Sequence, residues 1–396
     1  MKAVVFTLGC KVNEAESASI QAALDLMGIE NTDRLSFADI YILNTCAVTA
    51  EAERKSRQLI ARVKKFNPAA KIFVCGCASE KDRKAFEDKG VTYVCGARKK
   101  QEVIDAVARE FVFGSVPLPY SKKTKTRAFI KIQDGCNNFC SYCIIPYLRG
   151  RERSRSIEDI LAEIEKCDCP EIVLNGINIS SFDGGLETLV KELKGVDKRI
   201  RLGSLECSAI NGKLLNELTE LKDFAPQFHL SLQSGSDKVL KAMNRHYTRA
   251  EYIGKCNMIY SAFPSAAVTT DIIAGFATET EADFEESLSV IGEVGFARVH
   301  AFAYSPREGT AAYRLEDLPP DVKKKRLLRL LAEAEKTQYN YVDGFLGTER
   351  TIIAEERGEG YTDNYIRVYT DENLIEGKKY KVKLLKHFKD GAFAKI

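Results

Sequence analysis

DGCNNFCSYCIIP, residues 134–146, is the stretch of sequence that decides the fold of this chain. Its three cysteines, Cys136, Cys140 and Cys143, are spaced CxxxCxxC and directly follow an apolar run that predicts a strand. Thiolates this close in sequence are what an iron–sulfur cluster requires. A four-iron cubane held by these thiolates has one iron without a protein ligand, and an open position of that kind is typical of a catalytic metal site. The alternatives are a structural zinc site, which usually has four protein ligands while no His lies nearby, or cysteines of a core.

Downstream of this loop, strand and helix patterns alternate. The predicted strands span 128–133, 171–175, 200–205, 228–233, 267–273 and 298–304. The predicted helices between them include 156–167, 213–224, 249–262 and 279–294. Six strand–helix units favour an α/β barrel or partial barrel, in which ligands bind at the carboxyl ends of the strands. We assign residues 128–338 to this domain.

Upstream of the loop, strands alternate with helices again. The strands are predicted in AVVFTL (3–8), DIYILN (39–44), KIFVCG (71–76) and VTYVCG (91–96). The helices between them include 14–27 and 50–66. This alternation predicts a parallel α/β sheet, and we assign it to an N-terminal domain at 1–114. Residues 115–127 contain prolines and basic residues without an acidic one, so they are predicted to be a basic linker.

The last part of the chain has a different pattern. A charged helix predicted at about 320–345 is followed by short strand-like runs punctuated by Gly, Asn and Asp. Such runs predict a small antiparallel β-barrel at 339–396. Residues 378–395 carry seven Lys and one Asp, which favours contact with nucleic acid. The alternative is a set of lysines that keeps edge strands soluble.

The overall composition is that of a globular protein. The chain has 396 residues, of which 45% are apolar and 29% charged, with a formal net charge of +3. No apolar run approaches the roughly 18–20 residues of a membrane-spanning helix, so we expect a cytoplasmic protein with no membrane partner. In a reducing compartment, the twelve cysteines are expected to bind metal more often than to form disulfides.

A second set of cysteines is dispersed in the sequence. Cys10, Cys46 and Cys77 each follow one of the first three predicted strands. Because the carboxyl ends of adjacent parallel strands lie on one edge of a sheet, the three thiols are predicted to converge there. A second cluster with three thiolate ligands would fit this edge. The alternative is that all three are ordinary buried cysteines.

The cysteine loop and the alternation after it resemble the radical S-adenosylmethionine (SAM) superfamily. The resemblance implies a partial (β/α)6 barrel and a 4Fe–4S cluster at Cys136, Cys140 and Cys143. In that superfamily the open iron binds the amino and carboxylate groups of SAM, and an electron splits SAM into methionine and a 5′-deoxyadenosyl radical. Tyr142 matches the aromatic residue common before the third cysteine, which implies a SAM contact.

TLGCKVNEAES (7–17), LNTCAVT (43–49) and VCGCASE (74–80) resemble the N-terminal domain of methylthiotransferases. The resemblance covers nearly the whole chain and ends in a segment similar to a TRAM domain, a small β-barrel that binds substrate. It implies an auxiliary 4Fe–4S cluster at Cys10, Cys46 and Cys77. It also implies two uses of SAM, one to methylate sulfur and one to generate the radical that removes hydrogen from the substrate. A flavodoxin- or ferredoxin-type electron donor and a sulfur source are the implied partners.

Three branches of that family differ in substrate. LGCKVN (8–13) and YCIIPYLRGRERSR (142–155) look most like the branch that methylthiolates N6-threonylcarbamoyladenosine beside the tRNA anticodon. The alternatives are the same chemistry on isopentenyladenosine in tRNA or on an aspartate of a ribosomal protein. A further alternative is a non-catalytic iron–sulfur RNA-binding or electron-carrier protein, which the open-site cysteine loop followed by a barrel disfavours.

Four motifs depart from the family pattern without removing a predicted cluster ligand. They are CASE with Glu80, SLEC with Cys207, HLSLQSGS with Ser231, and GFATET with Ala277 and Thr278.

Small and polar residues at the predicted carboxyl ends of the barrel strands are suited to hydrogen-bond the ribose, amine and carboxylate of SAM. They resemble the SAM-contacting positions of the family: Gly176, Asn178, Ser204, Glu206, Gln233, Asp271 and Tyr304. Each has an alternative role as a strand-end cap or turn residue. After the cysteine loop come four arginines predicted to form a basic strip that contacts substrate phosphate or carboxylate: Arg149, Arg151, Arg153 and Arg155. The alternative for these arginines is the solvated start of a helix.

Overall fold

The structure is a computed structural model that describes residues 1–114, 116–119, 126–355 and 358–396. Most of the predicted basic linker at 115–127 lies outside these described residues. The described residues form a parallel sheet with helices, a partial barrel with helices, and a closed C-terminal β-barrel, so the predicted fold class is confirmed.

The N-terminal sheet is parallel and has the strand order β2-β1-β3-β4-β5. Its strands are β1 Lys2–Thr7, β2 Glu30–Thr32, β3 Ile40–Thr45, β4 Lys71–Gly76 and β5 Tyr93–Val94. Its helices are α1 Lys11–Leu26, α2 Ala50–Phe66, α3 Cys77–Lys81, α4 Lys84–Glu87 and α5 Lys100–Phe111. Every residue of β3 is buried, because helices cover both faces of the sheet. One apolar cluster contains Cys77 and the other contains Cys75, so these two cysteines lie on opposite faces.

The second region is a partial barrel built from two adjoining four-stranded sheets, β7-β6-β8-β9 and β10-β11-β12-β13. Its strands are β6 Arg127–Asp134, β7 Arg153–Ser154, β8 Glu171–Gly176, β9 Arg199–Leu202, β10 Ser204–Leu205, β11 Gln227–Leu230, β12 Ala267–Ala274 and β13 Arg298–Ala303. The strands within each sheet pair in parallel, apart from the short β7. Each of the six strands predicted from the sequence overlaps an observed strand.

The helices of this region alternate with the strands or follow them. They are α6 Ile145–Arg149, α7 Ile157–Lys166, α8 Leu186–Glu192, α9 Gly212–Thr219, α10 Asp237–Ala242, α11 Arg249–Ala262, α12 Glu281–Val294 and α13 Pro320–Asp343. Short 3-10 turns occur at Ile179–Ser181, Cys207–Ala209 and Ala311–Arg314. No helix among the described residues is long and apolar enough to cross a membrane.

The barrel strands have an apolar outer face and a polar inner face. On β6, Ala128, Ile130 and Ile132 belong to the core under the helices. The alternate residues of the same strand, including Arg127 and Lys131, therefore face the lumen, because successive side chains of a strand point to opposite sides. Helix α1 of the N-terminal region covers this inner face of β6, where its Glu16 pairs with Lys131 at 3.0 Å.

The C-terminal barrel is closed by pairing of its first strand with its fourth. Its strands are β14 Glu349–Ala354, β15 Glu359–Thr362, β16 Arg367–Tyr369, β17 Lys379–Phe388 and β18 Gly391–Lys395. It packs against the amino ends of the barrel strands: Arg127 ion-pairs with Glu355, and Arg201 lies 5.5 Å from the ring centroid of Tyr365. The predicted barrel is therefore present, and it contacts residues of the strands β6 and β9.

Candidate functional site

The first group of thiols lies along one edge of the N-terminal sheet. Cys10, Cys46 and Cys77 follow β1, β3 and β4, which are adjacent in the sheet. Cys46 is close enough to the other two for their charges to act on its pKa. The structure thus brings together the three cysteines that the sequence separates.

Two glycines allow this convergence. Gly9 has φ +117°, and a Cβ built on it would lie 3.1 Å from the Cys46 sulfur. Gly76 has φ +111°, and a Cβ there would lie 2.3 Å from the carbonyl oxygen of Thr45. The chain enters Cys10 and Cys77 through conformations that only glycine adopts at low cost.

These three thiols converge without forming a site for a single ion. Among the described residues, no three Cys, His, Asp or Glu side chains are arranged to hold one metal ion. A cubane bound by three cysteines has each thiolate on a different iron, so its ligands surround a space and do not meet at one point. Burial raises the pKa of Cys46 to about 11, so ligation there must displace a proton.

The second group of thiols lies in the loop between β6 and α6. Gly135 has φ +76°, and a Cβ there would lie 2.1 Å from the carbonyl oxygen of Arg151, so the loop turns tightly as it leaves the strand. The Cys136 amide donates to the carbonyl of Gly150 at 3.1 Å. The amide of Ser141 donates to the carbonyl of Met243 at 2.9 Å. Backbone contacts at both ends therefore fix the loop before any metal binds.

An arginine that the sequence reasoning missed lies beside this loop. Arg245 Nη1 donates to the Cys140 sulfur at 3.3 Å and pairs with Glu206 at 3.0 Å. Burial raises the pKa of Cys143 to about 12, and the charge of Arg245 opposes that rise. Arg245 is therefore placed to stabilise thiolates in this loop. It stands in no motif of cluster ligands, so its spacing gave no signal.

Some of the predicted SAM residues carry buried polar atoms without partners. The side-chain oxygen of Asn178 and the hydroxyl of Tyr304 have no hydrogen-bond partner among the described residues. Buried polar groups are normally satisfied, so each is a candidate to bind a ligand group. Gly176 approaches the carbonyl of Gln133 so closely that a Cβ would lie 2.9 Å from it. Tyr142 and Tyr304 belong to one apolar cluster.

The other predicted SAM residues already have protein partners or are open to solvent. Ser204 is exposed, and Glu206 accepts a hydrogen bond from Asn138 at 2.6 Å. Gln233 adopts φ +71°, and its backbone N–H donates to the backbone carbonyl of Asp271 at 2.8 Å. The Asp271 carboxylate contacts His229 Nε2 at 3.2 Å. Burial raises the pKa of Asp271, but the hydrogen bond and charge of His229 outweigh it, and the pKa lies below its ordinary value.

The prediction that four arginines form a basic strip is wrong for Arg149. Arg149 is completely buried, because α1 packs over β6 and covers its side chain. Arg151 remains exposed and lies 4.7 Å from the ring centroid of Phe139. Arg153 reaches Asp134 at 3.4 Å, and Arg155 pairs with Glu163 at 2.5 Å. Arg151, Arg153 and Arg155 therefore remain at least partly exposed, and their contact with substrate stays a prediction.

A groove of about 580 Å³ separates the edge strand β13 from the C-terminal barrel. Aromatic groups line it: Phe302 and Tyr339 are exposed, and the Tyr339 ring stacks on His387 with centroids 3.6 Å apart. Arg298 and Lys389 supply positive charge along the same groove. Aromatic rings with interspersed cations are the elements from which single-stranded nucleic-acid sites are built.

Comparison with known proteins gives two family matches. Residues 2–96 match the family described as "Uncharacterized protein family UPF0004", and residues 130–291 match the radical SAM superfamily. Threonylcarbamoyladenosine tRNA methylthiotransferase MtaB of Bacillus subtilis is 35% identical across 100% of this chain and 97% of its own length. The protein of the same name from Chlamydia pneumoniae is 38% identical across 83% of this chain and 80% of its own length.

Relatives that are named for a different tRNA nucleoside have similar sequence identity to this chain. The tRNA-2-methylthio-N(6)-dimethylallyladenosine synthase of Oceanobacillus iheyensis is 34% identical across 94% of this chain and 78% of its own length. Among solved structures, the radical SAM methyltransferase TsrM from Kitasatospora setae aligns with a TM-score of 0.57 at 12% identity, over 77% of this chain and 76% of that one. The cobalamin-dependent radical enzyme OxsB aligns with a TM-score of 0.53 at 12% identity, over 85% of this chain and 56% of that one. At this identity, the two structures show a shared fold alone.

Proposed function

The chain belongs to the radical SAM tRNA methylthiotransferase family, and from this premise we propose that its substrate is N6-threonylcarbamoyladenosine beside the tRNA anticodon. The family membership makes it an enzyme that uses SAM and a 4Fe–4S cluster and acts on tRNA. The product we propose is the 2-methylthio derivative of that nucleoside. The relative that covers the whole chain carries this substrate in its name.

One observation carries the proposed chemistry: three thiols lie at the carboxyl edge of the N-terminal sheet, and three more lie in the loop after strand β6 of the barrel. We propose that Cys136, Cys140 and Cys143 hold the catalytic 4Fe–4S cluster, and that Cys10, Cys46 and Cys77 hold an auxiliary one. When bound, the first cluster supplies the electron that cleaves SAM, and the second provides a site for the sulfur that is transferred.

The protein's own residues orient SAM and shield it from water. We propose that Asn178 and Tyr304 use their unpartnered oxygens to hydrogen-bond it, because occupation would satisfy both buried groups. Gly176 lets β8 approach Gln133 and Ile179 closely at the strand end, where we propose that its backbone contacts SAM. Tyr142 closes one wall with its ring. Ser204, Glu206 and Gln233 lie in or just after the neighbouring strands β10 and β11, Asp271 lies within β12, and these four residues complete the predicted set.

The RNA is proposed to lie across the groove beside β13. Phe302 and Tyr339 offer ring faces to unstacked bases, and Arg298 and Lys389 lie close to the phosphates such a strand would bring. Arg151 and Arg153 supply further positive charge beside the cysteine loop. In this proposal the chain has three domains: an N-terminal domain at 1–114, a radical SAM core at 128–338 and a substrate-binding barrel at 339–396. A flavodoxin- or ferredoxin-type donor and a separate sulfur source complete the proposal.

The test is an anaerobic reaction of the reconstituted enzyme with SAM and reductant, read by nucleoside mass spectrometry. Three substrates are offered in parallel: tRNA bearing threonylcarbamoyladenosine, tRNA bearing isopentenyladenosine, and the ribosomal protein. We expect replacement of one hydrogen by a methylthio group in the first alone. Product formed only in the second would refute the substrate and keep the chemistry, a result that the similarity to the dimethylallyladenosine synthases makes worth checking.

A cysteine variant tests the proposed roles of the two groups. Cys46→Ala is expected to cleave SAM to deoxyadenosine and to yield no methylthio product. Cys256→Ala is the matched control, since Cys256 is buried in the barrel core away from both groups. Normal product yield from Cys46→Ala would contradict the auxiliary role.

A further inference from the structure

Two histidines lie close together on the inner face of the sheet β10-β11-β12-β13. On β11, Phe228 and Leu230 belong to the core under the helices, so His229 between them points to the inner face. On the edge strand β13, the core residue Val299 likewise leaves His300 on the inner face. Strand β12 separates the two strands, and the ring centroids of His229 and His300 are 5.8 Å apart.

The two histidines differ in their hydrogen bonds. His229 Nδ1 lies 3.0 Å from the hydroxyl of Thr269, and its Nε2 lies 3.2 Å from the carboxylate of Asp271. Neither ring nitrogen of His300 has a hydrogen-bond partner among the described residues. The side chain of His300 is only partly buried. The protein therefore holds the His229 ring in place, whereas the His300 ring is open to a ligand.

His300 lies between the two sites proposed above. It is one of the residues that line the groove of about 580 Å³ beside β13, where we place the RNA. In the register of β12 and β13 it is paired with Asp271, a residue of the predicted SAM set. A nucleoside that reaches SAM from the groove would therefore bring the substituent on its base close to the His300 ring.

The His300 ring can both donate and accept a hydrogen bond. Burial lowers its pKa below the ordinary value, and the charge of Asp271 opposes this shift only in part. The ring is therefore neutral at pH 7, with one N–H donor and one acceptor nitrogen. Arg298 lies on the same face of β13 two residues earlier and adds positive charge. Urea, hydroxyl and carboxylate groups can satisfy such a site, whereas an isopentenyl group has no polar atom to offer.

We propose that His300 is a specificity-determining residue, which hydrogen-bonds the threonylcarbamoyl group of the target nucleoside and disfavours an isopentenyl group in its place. This inference rests on the substrate proposed above and assigns one side chain to the choice between the two tRNA nucleosides. An isopentenyl group would displace water from the ring nitrogens without replacing its hydrogen bonds. Sites with polar groups left unpaired in this way reject the apolar analogue.

The test measures equilibrium binding of the reconstituted full chain, without SAM, to fluorescent anticodon stem–loops by anisotropy. Three RNAs are compared that differ only at the target adenosine, which carries a threonylcarbamoyl group, an isopentenyl group or no substituent. The parent is expected to bind the first RNA more tightly than the second. In His300→Phe, which keeps an aromatic ring and loses both nitrogens, this preference is expected to fall roughly tenfold. His300→Gln has a donor and an acceptor of its own, so it is expected to keep most of the preference.

A matched control and the other two RNAs separate this role from general RNA binding. His246→Phe is the control, because His246 is exposed and is not among the described residues that line the groove. It is expected to leave all three affinities at the parent value. The inference would be overturned if His300→Phe kept the parent's preference. Equal weakening of all three RNAs would also overturn it, since His300 would then contact the common RNA backbone. A parent with no preference for the threonylcarbamoyl RNA would instead refute the proposed substrate.

Discussion

Gly76→Ala is expected to disable the auxiliary edge without touching a thiol. Gly76 has φ +111° and ψ −170°, a region almost restricted to glycine, where another residue costs about 1–3 kcal/mol. The added Cβ would also lie 2.3 Å from the carbonyl oxygen and 2.5 Å from the amide nitrogen of Thr45. Both are backbone atoms of the paired strand β3, so relief requires the strand ends to separate. The two effects together are expected to cost about 3–4 kcal/mol of unfolding free energy.

The assay compares iron content and urea unfolding in the full chain that lacks the three cysteines of the catalytic loop. Gly28→Ala is the matched control, since Gly28 also has a positive φ of +73° but a Cβ there would meet nothing within 4 Å. The control is expected to lose about 1 kcal/mol and to keep its iron. Gly76→Ala is expected to lose both stability and iron. The reasoning would be refuted if the two variants unfolded at the same urea concentration and bound equal amounts of iron.

Two further predictions concern single side chains. Burial raises the pKa of Glu53, but hydrogen bonds from Arg307, Arg57 and Lys81 outweigh it and bring the pKa down to about 2. A carboxyl group with a lowered pKa adds stability that is present above about pH 4.5 and is lost as the pH falls towards 2. Glu53→Gln is therefore expected to lower the free energy of unfolding by about 2–3 kcal/mol at pH 7 and by less at pH 3. Urea midpoints at the two pH values measure this difference. Tyr304→Phe removes a buried hydroxyl without a partner among the described residues, so the melting temperature is expected to hold or rise while SAM affinity falls roughly fivefold in equilibrium binding. Equal SAM affinity in Tyr304→Phe and the parent would remove Tyr304 from the SAM site.

The barrel strands and the sheet edge that carries Cys10, Cys46 and Cys77 were predictable because they rest on local patterns. Strand periodicity located the strand ends, and parallel pairing then determined which ends are neighbours. Strand β15 has little local signal, because its sequence, EGYT, is short and contains glycine, and it is stabilised by its partners on either side. Local propensity gives little signal for such strands.

For the arginines after the cysteine loop, the local sequence pattern does not predict which side chain is buried. Arg149, Arg151, Arg153 and Arg155 have equal spacing, so the sequence treats them alike. What separates Arg149 is Glu16, a partner 133 residues earlier in the chain. The packing of α1 on β6 decides which arginine is buried, and no window of sequence around the loop contains that information. The orphan oxygens of Asn178 and Tyr304 are likewise visible only once the surrounding atoms are in place.

The C-terminal barrel has a consequence for the stability of the domain that it covers. By packing Tyr361 and Tyr365 over Arg127 and Arg201, it shields these two arginines from water. Removing it would therefore take away more than the proposed RNA-binding module, because both arginines and their shared partner Glu171 would become accessible to water. A shortened chain of this kind would be expected to unfold at a lower urea concentration than the full chain.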